Sequence, residues 1–281
     1  MSAPELTSLL WADILFKKVF PRLTMTDLFN LRAASRKCRE MVEAYFVEMP
    51  VLSLSPYAHK FPRHHFAVLA RCCSNLREVK LAGCDFLTTS LLSELFSRNH
   101  KITTLILDKT TNLESSCLQH VIIDCKNLKV LRLSECVWVT VGCLDALTLH
   151  HQSLEEVDLS YCTAVSSHHS LNFFLSKLPK LRSLRLGGLL CLDSTLSMVL
   201  TFCRELEMLD LSHGQSSSER VKELIEGLPK LKYVDLRSHT FLDSKYTKEG
   251  LKILGWKRNK IIVLTNLTYE HQWTIRIALP F

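Results

Sequence analysis

Cysteine and histidine are the residues whose number and placement could support chemistry in this chain. Eleven cysteines are spread over 281 residues, and stretches such as CKNLKVLRLSEC, from Cys125 to Cys136, carry one at each end. Thiolate metal ligands and redox couples come in closely spaced C-x-x-C pairs, whereas Cys125 and Cys136 lie eleven positions apart and the total is odd. Reduced, structural thiols are the expectation. The pairs His64-His65 and His168-His169 are the next candidates, but no acid, nucleophile and oxyanion donor gather around them in a recognisable set. The serines of SSSE, Ser216 to Glu219, suit a helix start, where a hydroxyl can accept from free backbone amides. No catalytic, cofactor-binding or metal site is assigned, and an enzyme is not expected.

Composition narrows the partners further. The net charge of +7 is not gathered into one tract. Its densest cluster, Lys245, Lys248, Lys252, Lys257, Arg258 and Lys260, reads as a solvated basic face rather than a nucleic-acid platform. With 8 glycines, Gly-rich phosphate cradles are scarce. No apolar run reaches the ~18 residues that span a bilayer, so no membrane partner is expected. LTSLLWADILF is apolar but lacks a basic lead and contains Asp13, which argues against a secretory signal. The expected compartment is the cytoplasm, with the nucleus open as a second, and the sequon Asn266-Leu267-Thr268 is then idle.

The elements that position these residues are repeats. Leu76, Ile102, Leu128, Leu154, Leu181, Leu206 and Leu231 follow one another at 26, 26, 26, 27, 25 and 25 residues. Each opens an L-x-x-L-x-L pattern, from LREVKL through LKVLRL and LEEVDL to LKYVDL. That is the leucine-rich-repeat signature. Its period-two part predicts a short strand with leucines inward and the intervening residues outward. Between strands the spacing becomes helical: Leu87, Leu91, Leu92, Leu95 and Phe96 match Leu113, Cys117, Leu118, Val121 and Ile122. A strand and a helix per turn predict an α/β solenoid. Met49, Leu52 and Leu54 form a weaker opening unit, KIIVLTN has strand character in poor register, and LTYEHQWTIRIALPF reads as a cap or tail. Cysteine then becomes a packing residue: Cys73, Cys125 and Cys203 share one slot with His100, His151, Leu178 and Leu228, while Cys84, Cys136 and Cys162 share a second.

Residues 1–48 do not repeat. Asp13 precedes one apolar helical turn, Asp27 opens another, Leu28, Leu31 and Ala34 sit at helical spacing, and Pro21 interrupts between them. Two or three short helices are predicted, too few to stand without packing on the solenoid or a partner. Leu9, Trp11, Asp13, Ile14, Leu15, Val19, Leu23, Asp27, Leu28, Leu31, Ser35 and Arg36 give this segment the pattern of an F-box, with Leu10 where that family usually has proline. An F-box followed by cysteine-containing leucine-rich repeats resembles the F-box/LRR family of SCF ubiquitin-ligase substrate receptors, over nearly the whole chain.

The resemblance implies an F-box at 1–48, a solenoid at 49–260 and a C-terminal cap and tail at 261–281. It implies that Leu9, Trp11, Ile14, Leu15, Val19, Leu23 and Leu28 dock on a Skp adaptor, and through it on cullin and RING subunits. The solenoid would hold the protein to be ubiquitinated. Outward strand positions form two columns on its concave face, one running Ser53, Lys80, Ile106, Arg132, Asp158, Arg185, Asp210, Asp235 and the other Val51, Glu78, Thr104, Val130, Glu156, Ser183, Met208, Tyr233. Arg132, Asp158, Arg185 and Asp210 would alternate in charge across strands ~4.8 Å apart, either reading charges on the substrate or pairing among themselves. Met208 and Tyr233 have the adaptable apolar area of an interface centre. Phe86 and Trp138 share an offset after their strands, where Trp138 is expected to pack into its loop. A leucine-rich-repeat scaffold or inhibitor outside any ligase, its first 48 residues serving as a helical cap, is the alternative.

Overall fold

The structure is a computed structural model that describes residues 11–165, 167–239 and 262–264. Among them, three-residue strands β1 (Val51–Ser53), β2 (Glu78–Lys80), β3 (Thr104–Ile106), β4 (Val130–Arg132), β5 (Glu156–Asp158), β6 (Ser183–Arg185), β7 (Met208–Asp210), β8 (Tyr233–Asp235) and β9 (Ile262–Leu264) form one sheet in chain order. Every pairing is parallel and advances by one repeat, so Thr104 lies beside Val130 and Val130 beside Glu156. A parallel sheet in strict chain order requires each connection to return to the same edge. Helices make most of those returns: α3 (Arg63–Cys72), α4 (Thr89–Phe96), α5 (Gln119–Asp124), α6 (Val141–His150), α7 (His168–Ser176), α8 (Asp193–Phe202) and α9 (Ser218–Gly227). The chain is an α/β leucine-rich-repeat solenoid. The strand expected within KIIVLTN is β9, which pairs in register with β8. The tail from 265 and the lysine-rich cluster at 245–260 lie outside the described residues.

The core lies between sheet and helices. Leu76, Ile102, Leu128, Leu154, Leu181 and Leu206 are sealed from solvent, as are the strand centres Val79, Leu105, Val157, Leu184 and Leu209. Each such side chain contributes about 1.5–3 kcal/mol on burial, which makes the stack rather than any one turn the stable object. The helical stripes meet this core: Leu87, Leu92, Leu95 and Phe96 are buried with Leu91 half-buried against them, and Leu113, Cys117, Leu118, Val121 and Ile122 are buried.

A left-handed residue follows each strand from β2 to β8: Gly83, Lys109, Glu135, Tyr161, Gly188, His213 and Ser238, with φ between 53° and 69°. The turn aims each amide at the next repeat. Lys109 N–H donates to Ser134 O at 2.7 Å, and Tyr161 N–H to Gly187 O at 2.8 Å. Side chains at such φ cost about 1–2 kcal/mol, a strain held by the ladder on both sides.

Six of the eleven cysteines occupy two interior slots. In the second, Cys136 Sγ donates to Leu107 O at 3.0 Å and Cys162 Sγ to Leu133 O at 2.9 Å, while Thr110 fills the same place and donates to Leu107 O at 2.7 Å. Burial pushes the Cys84, Cys162 and Cys203 thiols up to about 12, so they are neutral donors rather than thiolates. One assignment changes. The first slot is filled in the third repeat by Asn99, fully buried, and not by the exposed His100. Asn99 accepts from Leu76 N–H at 2.9 Å and donates to Cys73 O at 2.9 Å and Leu95 O at 2.7 Å. The polar occupants of the slot satisfy backbone at helix ends, as His151 does by bonding Ile122 O at 3.0 Å, whereas Leu178 and Leu228 only fill it.

Before β1, an opening helix of wider, π-type winding (Trp11–Val19) leads through a tight turn at Phe20–Arg22 into α1 (Met25–Ala34) and α2 (Arg36–Glu48). Thr24 and Asp27 form a reciprocal capping box at the start of α1, and Ser35 caps α2 by accepting from Cys38 N–H. Phe16, Phe20 and Tyr45 pack ring on ring, with centroids 5.2–5.8 Å apart. This unit shares its core with the first repeat: Phe29 stacks on His65 at 3.9 Å and meets Phe61 edge-on at 5.9 Å.

Candidate functional site

Two surfaces hold the residues singled out by sequence. On the helical unit, Trp11, Ile14, Val19 and Leu23 are half-buried, whereas Leu15 and Leu28 are enclosed in the unit's own core. Leu15 and Leu28 therefore hold the helices together and present no surface in this conformation. Leu9 lies outside the described residues, as does Leu10. A groove of about 880 Å³ not foreseen from sequence runs between the opening helix and the end of α2, lined by Phe16, Tyr45, Met49 and Val51 among others.

The second surface is the open face of the sheet. The registered strands do bring Arg132, Asp158, Arg185 and Asp210 side by side. Their closest ion pairs, however, are not with each other. Arg132 donates to Asp108 at 2.7 Å and Arg185 to Glu156 at 2.6 Å, while both guanidinium groups stand 4.0 Å from Asp158. The alternating ladder is thus replaced by two tight pairs that reach into the flanking columns. Burial raises the proton affinity of Asp158, opposed by the backbone amide of Ser160. Asp210 is raised too, by burial first and also by the nearby charges of Asp235 and Asp158.

Each carboxylate is tied to the turn after its own strand. Asp158 accepts from Ser160 N–H at 3.0 Å, Asp210 from Ser212 N–H at 2.8 Å, and Asp235 from Arg237 N–H at 3.0 Å. Arg237 returns over Asp235, its Nη2 donating at 2.6 Å. Tyr161 and His213, both left-handed, place their rings 5.9 Å apart at the rim. A polar pocket of about 420 Å³ opens between these turns. Met208 and Tyr233 lie further along the face, both half-buried, with Ser183 Oγ directed at Met208 Sδ at 3.8 Å. Trp138 packs into its loop as expected, its Nε1 donating to Thr110 O at 2.8 Å, and Phe86 packs on Phe61 and Phe66. Among the described residues, no group of three or more His, Cys, Asp and Glu is placed to hold a metal ion.

No family model matches the chain. Over 151 residues it is 26% identical to F-box protein SKIP1 of Arabidopsis thaliana, a stretch covering 47% of this chain and 50% of that protein. Among solved structures it is similar to a chain of the TLR13–ssRNA13 complex, with TM-score 0.42 and 17% identity over 71% of this chain and 34% of the other. It is also similar to a chain of the yeast Rad7–Elc1 complex, with TM-score 0.38 and 16% identity over 95% of this chain and 90% of the other.

Asp108, Ser160 and Ser212 were missed as site residues because they follow the leucine that closes the motif. Their signal is nevertheless present: extending the outward alternation by one step gives a third column, Asp108, Ser134, Ser160, Gly187, Ser212 and Arg237. Gly187 is needed in that column because its neighbours crowd the backbone. A Cβ there would meet Ser212 Oγ at 2.8 Å and the Asp210 carboxylate at 3.4 Å. Among the described residues, no helix is long and apolar enough to cross a membrane.

Proposed function

We propose that this chain is the substrate-recognition subunit of an SCF-type ubiquitin ligase. Its opening helices dock a Skp adaptor, and through it cullin and RING subunits, while the open face of the sheet holds the protein to be ubiquitinated. The observation that carries the reading is a small helical unit placed ahead of the repeats with Trp11, Ile14, Val19 and Leu23 half-buried. The likeness to an F-box protein over 151 residues supports it. Those side chains contribute at most about 1.5–3 kcal/mol each on full burial, before association costs are subtracted. The division at 1–48, 49–260 and 261–281 belongs to the same reading. The chain would supply proximity, and the bond-making chemistry would belong to a ubiquitin-conjugating enzyme. Its place of work is then the cytoplasm or nucleus.

A scaffold or inhibitor acting without a ligase is favoured by one observation, the Phe29–His65 stack that makes the helical unit a cap on the first repeat. Affinity purification of the full chain separates the two. Skp adaptor and cullin should copurify, and the double substitution Ile14→Asp, Val19→Asp should remove them while the melting temperature holds. A correctly folded chain that never recruits the adaptor sinks the ligase reading.

A further inference from the structure

The polar pocket on the open face is lined by two carboxylates and two guanidinium groups, but their pairing leaves one carboxylate unmatched. Two guanidinium groups line it, yet both are engaged by carboxylates: Arg185 donates to Glu156 at 2.6 Å, and Arg237 to Asp235 at 2.6–3.0 Å. Asp210 lies between them in the strand register, beside Arg185 on β6 and Asp235 on β8. One neighbour is turned to another partner and the other carries the same charge. Among the described residues Asp210 has no ion pair within 4.0 Å, and its hydrogen bond comes from the backbone of Ser212.

Ser160 supplies the independent observation. It lines the pocket, is 94% buried, and its hydroxyl oxygen has no hydrogen-bond partner. A buried, unpartnered hydroxyl is costly unless something fills it. Between Ser160 and Ser212 the third column carries Gly187, where Ser212 Oγ and the Asp210 carboxylate lie so close to the backbone that a Cβ has no room. Tyr161 and His213 stand at the mouth and offer ring faces.

We propose that this pocket binds an arginine side chain presented by the partner protein. This rests on the open face being the substrate surface, as proposed above. A guanidinium is planar, always charged and carries five donors, so one group can serve Asp210, Asp158 and the Ser160 hydroxyl together while its plane lies against Tyr161. It brings a further positive charge to Asp210, whose register neighbour Arg185 is held by Glu156. The pocket's volume of about 420 Å³ accommodates such a side chain.

The probe is the peptide acetyl-Gly-Arg-Gly-amide, titrated against the full chain by NMR or calorimetry, beside its neutral, nearly isosteric citrulline counterpart. The arginine peptide should bind at least about tenfold more tightly than the citrulline peptide. Asp210→Asn should erase that preference. The asparagine oxygen can still accept from Ser212 N–H, so the turn is kept. Ser160→Ala removes a hydroxyl that bonds to nothing in the free protein, and it should weaken the arginine peptide several-fold without lowering the melting temperature. Equal binding of the two peptides, or an arginine preference that survives Asp210→Asn, overturns the proposal. No adaptor takes part in the titration. A chain that recruits Skp adaptor but ignores the peptide loses this inference alone, and one that binds the peptide but recruits no adaptor loses the ligase reading alone.

Discussion

Asn99 and His151 occupy the same slot two repeats apart, yet their replacement by leucine should have unlike results. Leu178 and Leu228 show that the slot has room for leucine. At Asn99 that substitution leaves the buried Leu76 N–H and Cys73 C=O without their partner. With about 1–3 kcal/mol lost for each of the two orphaned groups, Asn99→Leu should cost about 2–6 kcal/mol in urea denaturation. His151 makes the single bond to Ile122 O, and burial lowers its proton affinity despite that carbonyl. Its folded-state pKa lies below the unfolded value of about 6.5, so it contributes stability above that pH and loses it as pH falls. His151→Leu should therefore be near neutral or mildly destabilising at about pH 7.5, and gain on the unsubstituted protein by about pH 5. A difference that does not change between those two pH values would refute the assignment. His239 behaves alike in direction, with burial holding it down at about 4.

Neighbouring helices α8 and α9 are tied together at their N-terminal ends, and the joint depends on a single carboxylate. Asp193, in the first turn of α8, accepts from Ser217 N–H at 2.8 Å and Ser217 Oγ at 2.7 Å, while Ser217 itself caps α9 by accepting from Arg220 N–H. These bonds hold the Asp193 carboxyl below its ordinary range. Asp193→Ala should cost about 1–2 kcal/mol, and Asp193→Asn less because its oxygen still accepts, a ranking that thermal melts can read. As its pKa is lowered, the contribution is present above about pH 4 and lost as acid protonates it. The serine cap was legible from SSSE, and the strands from the spacing of Leu76 to Leu231, because propensity and hydrophobic periodicity are local. Asp193 was not, since its partner lies 24 residues away. The same limit explains the charged face. Register put Arg132, Asp158, Arg185 and Asp210 in one row, but rotamers reaching Asp108 and Glu156 decide who pairs. The slot of Asn99 was legible too, since 26 residues separate it from both Cys73 and Cys125, and His100 stands one position out of that register.

At the scale of the whole molecule, the helical unit and the first repeat are one packed body. Asn75 Nδ2 donates to Val47 O at 3.1 Å across the junction, and Phe29, Phe46, Phe61 and Phe66 are all buried there. A solenoid needs its ends covered, and here the cover is also the surface proposed to meet the adaptor. Deleting residues 1–48 should therefore do more than abolish adaptor binding. It uncovers Leu52 and Phe61, and the loss of several aromatic contacts at about 1.5–3 kcal/mol each should lower the melting temperature sharply and raise binding of an apolar dye. Ile14→Asp with Val19→Asp should leave melting and dye binding close to those of the unsubstituted chain. If the truncated protein melted as the full chain does, the cap would be separable from the solenoid and deletion alone would report on docking. If the two charged substitutions unfolded the first repeat, Ile14 and Val19 would be cap residues, and the adaptor surface would have to lie elsewhere on the chain.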